Sequence, residues 1–407
     1  MDAAAQEQSR QTFFEGIAHF EAGRLDEARH CFERCQALTP GRPSVLGNLG
    51  VTLFKLGQVG EALPLLREAV AGEPQFRDAW VGLGLAHESE GDWAPAADAL
   101  RHALALQDDT PALWLTLGEC EARLARRPEA LRAFDRALEL DPADARTWSV
   151  RGSLLRELGQ LAAAAHSFEK AIELGADPDL HAYYLASVRG GPAPTRPPRQ
   201  YVEALFDDYA ADFQAHVVGQ LGYRAFEVLL RPIVDSGRRF RAALDLGCGT
   251  GLCAPLLRPC CDVVDGVDLS VRMLEQAATL GLYRELIHAE LGEFLAATDR
   301  RADLVVAADV LNYVGDLASV VASVARLLEP DGLFAFTVEL STDGSDLNLQ
   351  SSLRYAHSEA SVRRLAQWSG LRIDALWQAA LRHDRGKALP GLCVHLRRAG
   401  DAGSGPP

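Results

Sequence analysis

The sequence predicts a two-part molecule: an all-α solenoid followed by an α/β domain with a mostly parallel sheet. Three observations carry this. Residues 9–178 keep one 34-residue period through five units. Residues 190–199, GGPAPTRPPR, hold four prolines and two glycines, the composition of a semi-stiff linker. From residue 200 onward, short apolar runs alternate with helix-like segments, the pattern of strands buried on both faces.

The repeat is read from Ser9. Its eighth residue is Gly16, its twentieth Ala28 and its twenty-fourth Phe32, and stepping by 34 returns Gly50, Ala62 and Leu66. Further steps give Gly84, Ala96 and Leu100, then Gly118, Ala130 and Phe134, then Gly152, Ala164 and Phe168. Position 32 reads Pro40, Pro74, Asp108 and Pro142, with Pro178 two residues late in the last unit. Position four reads Trp80, Trp114 and Trp148 in the last three units. Small residues at positions 8 and 20 let two antiparallel helices approach. The large residue at position 24 is expected to fill the space between neighbouring units, and proline ends the second helix. One such unit cannot bury its own apolar face, so the array must stack. These five units resemble tetratricopeptide (TPR) repeats. The resemblance implies a protein or peptide partner in a concave groove, and the acid excess suggests a neutral or basic one. Residues 179–189, DLHAYYLASVR, read as a capping helix, which closes the solenoid at residue 189.

In the second half, helices are expected near 200–213 and 222–235. Strand 242–246 and a helix from about 252 follow, then strand 263–267 and a helix from Ser270, a good N-cap. Next come a short strand at 285–289, a helix at 291–298 and strand 303–308. Helix 316–328 leads to a strand at 332–340. A helix at 358–369 precedes strands 372–378 and 392–398, joined by a polar loop, RHDRGKALPG. Residues 399–407 read as a disordered tail.

The most informative stretch is ALDLGCGTG, residues 243–251. Asp245 ends an apolar run, and Gly247, Gly249 and Gly251 follow at alternate positions. A turn without Cβ atoms lets a ligand approach the backbone closely. Seventeen residues after Gly251, Asp268 ends a second strand, where a carboxylate suits the two hydroxyls of a ribose. A dinucleotide GxGxxG turn needs glycine at 252, where this chain has Leu252, and no GxxxxGK[ST] phosphate loop is present. The pattern hhDhGxGxG with a downstream acid resembles the first two motifs of class I S-adenosylmethionine (SAM) methyltransferases. The resemblance covers residues 200–398 and implies a Rossmann-like fold with S-adenosyl-L-methionine as cofactor. Asp245 would meet the ammonium, directly or through water, and Asp268 the ribose.

Further segments carry the same resemblance. In GVDLSVRMLEQA, Leu269 and Met273 would flank the adenine, although helical spacing is also that of core residues. Glu290 would accept the adenine amino group, and the Leu291 N–H would reach the ring. In ADLVVAADVLNYVGDL, Asp309 would face the methyl group. The segment YVEALFDDYAADFQ resembles the lid helix of a bacterial group that fuses TPR repeats to such a domain, with Tyr209 closing over SAM. RYAHSEASVRRLAQWSGL also matches that group, with Arg354, Tyr355, His357 and Ser358.

Methyl transfer is a displacement at a sulfonium carbon, so the protein mainly aligns the nucleophile and excludes water. If a base is needed, Asp309, Glu339, His216 and His357 are the candidates; both histidines also suit structural roles. Asn312 and Tyr313 could orient an acceptor, with Glu339, Arg354 and Tyr355 as further substrate-binding candidates. No [DN]PP[YFW] sequence follows the fourth strand, so amide or exocyclic-amine methylation is not indicated, and the paired-glutamate loop of arginine methyltransferases is missing. The acceptor is therefore expected to be a small molecule or a protein side chain. The alternative from another class is a TPR scaffold carrying a non-catalytic SAM-binding module.

Net charge is −15, and residues 1–190 hold 19 Lys+Arg against 29 Asp+Glu. Without basic runs, such a chain is a poor nucleic-acid or membrane-surface ligand. No run of 18 apolar residues and no leader-like segment is found, so a cytoplasmic location is expected. The eight cysteines show no CxxC and no zinc spacing, so no metal is expected and buried free thiols are. Cys248 sits in the glycine turn, where alkylation sensitivity is expected.

Overall fold

The 34-residue period builds five helical hairpins. The computed structural model describes residues 3–191, 194–209, 224–384 and 387–399, and splits into two units, Met1–Ala176 and Asp177–Pro407. The hairpins of the first unit are α1 (Ala3–Glu21) with α2 (Leu25–Leu38), α3 (Pro43–Lys55) with α4 (Val59–Gly72) and α5 (Arg77–Ser89) with α6 (Trp93–Leu106). The last two are α7 (Pro111–Arg123) with α8 (Arg127–Leu140) and α9 (Ala145–Glu157) with α10 (Leu161–Glu173).

Each hairpin closes on its own small residue. A Cβ added at Gly118 would lie 2.4 Å from the Phe134 ring, and one at Gly152 would lie 2.6 Å from Phe168. Positions 8 and 24 therefore meet within one repeat; the residue at 24 fills its own hairpin before it reaches the next unit. The alanines at position 20 (Ala28, Ala62, Ala96, Ala130 and Ala164) are fully buried. The tryptophans at position four have a role the period did not disclose. The indole N–H of Trp80 donates to the Pro74 carbonyl at 2.9 Å, that of Trp114 to Asp108 at 3.1 Å, and that of Trp148 to Pro142 at 2.9 Å. Position four thus ties down position 32 of the preceding repeat, satisfying a carbonyl at the inter-repeat turn.

The second unit opens with α11 (Pro178–Arg189), the helix expected to cap the solenoid. Its Tyr183 is buried against Leu349, Leu353 and Tyr355, and its hydroxyl donates to the Leu353 carbonyl at 2.7 Å. This burial packs the helix with the second unit, which begins at Asp177. The segment expected as a spacer is also engaged. The Asp316 N–H donates to the Thr195 carbonyl at 3.2 Å, and a Cβ on Gly315 would strike that carbonyl.

Then follow α12 (Arg199–Tyr209), α13 (Ala225–Asp235), β1 (Phe240–Leu246), α14 (Ala254–Leu257), β2 (Cys261–Asp268), α15 (Val271–Thr279), β3 (Glu285–His288), α16 (Leu291–Ala297) and β4 (Ala302–Ala307). The chain continues through α17 (Ala318–Leu327), β5 (Leu328–Leu340), β6 (Leu347–Leu349), β7 (Tyr355–His357), α18 (Glu359–Trp368), β8 (Leu371–Asp384) and β9 (Lys387–Arg398). Strands β3, β2, β1, β4 and β5 are parallel neighbours in that order; β9 runs antiparallel along β5 and carries β8 at its outer side. Chain order reverses between β1 and β4. Alternate residues feed two cores: Leu244, Val305 and Ala307 face α16–α18, whereas Ala243, Leu304 and Val306 face α13.

Three expectations needed correction. The helix from 252 is one turn. The short pair β6–β7 was not foreseen, because three-residue strands carry no periodicity. Within the polar stretch, residues 382–384 and 387–391 pair as strand, which places Arg382 on β8. The tail from residue 400, like residues 210–223, lies outside the described residues.

Candidate active site

The glycine turn leaves β1 through three residues of positive φ: Gly247 at 64°, Gly249 at 53° and Gly251 at 90°. Their reasons differ. A Cβ on Gly247 would lie 2.3 Å from Val310 Cγ2, and one on Gly251 would lie 2.7 Å from Leu280. A Cβ on Gly249 would meet nothing within 4 Å, so its backbone borders open space. Asp268 holds the turn there: Gly249 N–H donates to Oδ2 at 2.8 Å and Ser270 N–H to Oδ1 at 2.9 Å. Burial raises the Asp268 pKa, and these backbone bonds oppose the shift.

The space is a cavity of about 500 Å³ at the β1/β4 switch, within the range of small-molecule sites. Gly247, Gly249, Asp268, Leu269, Met273, Glu290, Leu291, Asp309, Tyr313 and Arg354 all line it, so ten of the sequence-derived candidates share one wall. The Ser270 hydroxyl caps α15 by accepting from Met273 N–H at 3.2 Å, which fixes the Leu269–Met273 wall. One oxygen of Glu290 caps α16 by accepting from Glu293 N–H at 2.7 Å. Arg196 and Pro197, from the proline-rich stretch, also line the cavity.

Other candidates sit elsewhere. Gly251 packs inward. Asp245 is 1% exposed and is not part of the wall. Its Oδ2 accepts from the Tyr283 hydroxyl at 2.7 Å, while Oδ1 accepts no hydrogen bond. Burial pushes its carboxyl up to about 7, against the pull of Tyr283 and the nearby Cys253 thiol. Direct contact with a ligand is therefore replaced by a position behind the turn. His357 is buried, and its Nε2 stands 3.2 Å from the Val314 carbonyl, which holds the ring proton there. Burial lowers its pKa to about 4. It stands outside the cavity wall, in a structural position. Tyr355 lies in the aromatic cluster with Tyr183, ring centroids 6.2 Å apart, and does not reach the cavity. Tyr209 ends α12, and His216 lies outside the described residues. All eight cysteines are buried and free; Cys248 lines the cavity, and burial beside Asp245 and Asp268 raises its thiol pKa, which disfavours the reactive thiolate.

Asp309 stands at φ 57°, its N–H donating to the Thr337 hydroxyl at 2.8 Å. Burial pushes its carboxyl up to about 6, and the charge of Arg354 acts against that. Arg382 donates to both Asp309 oxygens at 3.0 Å, and Asn312 Nδ2 donates to Oδ1 at 3.0 Å. Arg382 also reaches Glu339 Oε1. Asn312 and Glu339 are thus buried braces behind the wall, and Asp309 is a paired carboxylate, not an idle base. Arg382, Thr337 and Tyr283 escaped sequence reasoning. The only available signal was an arginine within an otherwise ordinary polar hairpin.

Residues 219–383 match a family model described as a methyltransferase domain. Residues 1–190 match one described as the cilia and flagella-associated protein 70 C-terminal domain, a TPR region. Human methyltransferase-like protein 27 is 33% identical over 186 residues, covering 43% of this chain and 72% of that protein. The ubiquinone biosynthesis O-methyltransferase of Thiobacillus denitrificans is 32% identical over 157 residues, covering 33% of this chain and 66% of its own length. The malonyl-[acyl-carrier protein] O-methyltransferase of Pseudescherichia vulneris is 28% identical over 180 residues, with 42% and 70% covered. Among solved structures, the crystal structure of MamA protein is 22% identical with TM-score 0.39, covering 42% of this chain and 92% of that one. Through its C-terminal unit, carried behind TPR-type repeats, this chain belongs to the methyltransferase family.

Proposed function

We propose that the chain is a SAM-dependent methyltransferase acting on an oxygen acceptor held in the same cavity, with the TPR repeats recruiting a protein partner or substrate. The observation that carries the cofactor reading is the turn itself. Gly249 offers backbone to open space, Asp268 stands beside it, and two buried polar atoms of the turn, Asp245 Oδ1 and Thr250 Oγ1, lack partners. A zwitterionic nucleoside without phosphate fits that donor set. An orphan carboxylate oxygen suits an ammonium through an intervening water, and strand-end Asp268 retains lone pairs for ribose hydroxyls. Oxygen as acceptor is supported by the two O-methyltransferase relatives.

When bound, SAM supplies an electrophilic methyl group on a sulfonium. The chain supplies alignment and dryness. Leu269, Met273 and Leu291 form an apolar wall that excludes water, while Val310 and Tyr313 line the side where Asp309 stands. Arg382 and Asn312 hold the Asp309 carboxylate in one orientation. The repeats, acidic overall, would favour a neutral or basic partner.

Calorimetry with SAM tests the reading. Wild type should bind at micromolar level, and Asp268→Ala should lose on the order of 1–3 kcal/mol, the worth of a charged hydrogen-bonding group. Absence of SAM binding by the wild type would overturn it.

A further inference from the structure

We propose that the methyl acceptor is a carboxylate gripped by Arg354, and that the product is a methyl ester. This rests on the SAM reading and deepens it. Arg354 lines the cavity with 28% of its side chain accessible. Its Nε donates to the Tyr313 hydroxyl at 3.0 Å, and its guanidinium lies 5.4 Å from the centre of that ring. The side chain is therefore fixed from one edge. Its terminal nitrogens donate no hydrogen bond to any described residue; the nearest carboxylate, Glu339 Oε1, is 3.8 Å from Nη1, beyond hydrogen-bond length. Tyr313, Asp309 and Glu339 keep the group charged despite burial. Arg382 already makes the hydrogen bonds to both acids. A planar, charged fork with unused donors, held rigidly inside a cavity, matches a carboxylate in a bidentate pair.

Two of the candidate bases are committed elsewhere: Asp309 accepts hydrogen bonds from Arg382, and His357 is buried outside the cavity wall. A phenol, alcohol or ammonium acceptor must give up a proton. A carboxylate has none to lose. Its oxygen attacks the methyl carbon in line, the O–CH₃ bond forms, and the S–CH₃ bond breaks with its electron pair left on sulfur. The carboxylate and the sulfonium lose their charges together, and no proton moves.

The test uses full-length protein. S-adenosylhomocysteine is bound first, and benzoate or benzamide is then titrated by calorimetry. Benzoate should bind and benzamide should not. Arg354→Gln should weaken benzoate by about tenfold or more, Arg354→Lys should recover part of that loss, and both variants should keep S-adenosylhomocysteine affinity within about twofold, which also reports folding. In parallel, methyl-labelled SAM is incubated with a cell extract and the protein. The label should leave the product as methanol under mild alkali, the behaviour of an ester. Alkali-stable label, no label, absent benzoate binding, equal binding of benzamide, or an unaffected Arg354→Gln would each overturn the carboxylate assignment while SAM binding stands. Failure of the wild type to bind SAM or S-adenosylhomocysteine would remove the underlying reading as well.

Discussion

Asp245 is costly to fold and useful to keep. Its carboxyl sits near 7 in the folded chain, against about 4 unfolded, so the folded state binds the extra proton between those values. Stability from this site is therefore lost as pH rises from about 4 to 7, and the loss is complete above 7. Asp245→Asn keeps an acceptor for Tyr283 without the buried charge. We expect its melting temperature to match wild type at pH 4 and exceed it at pH 8, a gain on the order of 1–3 kcal/mol, while SAM affinity falls. Equal melting at pH 8 would refute the burial cost. The glycines separate in the same way. Gly247→Ala meets Val310 and a positive φ at once, so it should mainly lower stability, by roughly 2–4 kcal/mol in denaturant titration. Gly249→Ala should cost only about 1–2 kcal/mol of backbone strain, yet weaken SAM more than about tenfold, because its methyl enters the cavity. Of these roles, the glycines were legible as a motif, but which glycine serves packing and which serves the ligand was not. The motif is local, whereas Val310 and Leu280 arrive from distant segments.

At the scale of elements, the repeats were legible because each position recurs in the same environment five times. Gly118→Ala should overpack the Phe134 contact and cost about 1–3 kcal/mol by thermal unfolding. Trp114→Phe should cost roughly 0.5–1.5 kcal/mol by removing the bond to Asp108 O. The final hairpin shows the opposite case. Its polar composition reads as loop, yet pairing runs from Leu371↔Arg398 to Asp384↔Lys387. A register shift between Ala380 and Arg382 sits beside the point where Arg382 enters the site. Sheet pairing with β9 overrides local propensity there, since a strand's partner is non-local.

For the whole molecule, the compact units meet before α11 in the chain, at Ala176 and Asp177. Residues 1–176 should fold alone as a helical array with cooperative melting followed by circular dichroism. Residues 177–407 should melt several degrees above residues 196–407, because the shorter fragment loses Tyr183 from its cluster with Leu353 and Tyr355. Equal melting would return α11 to the repeats. No helix among the described residues is long and apolar enough to cross a membrane, and no cluster of metal-ligating residues is found among them.

The sequence by itself determined the repeat period, the alternation of strands and helices, and the turn with Asp245 and Asp268, because each rests on residues close in the chain. Tertiary structure alone decided that Asp245 lies behind the wall, that His357 is spent on Val314, and that Arg382 neutralises Asp309 while Arg354 keeps open donors. Those facts depend on segments up to 73 residues apart meeting in one low-dielectric space. There, burial and pairing set protonation and availability, which no local pattern encodes.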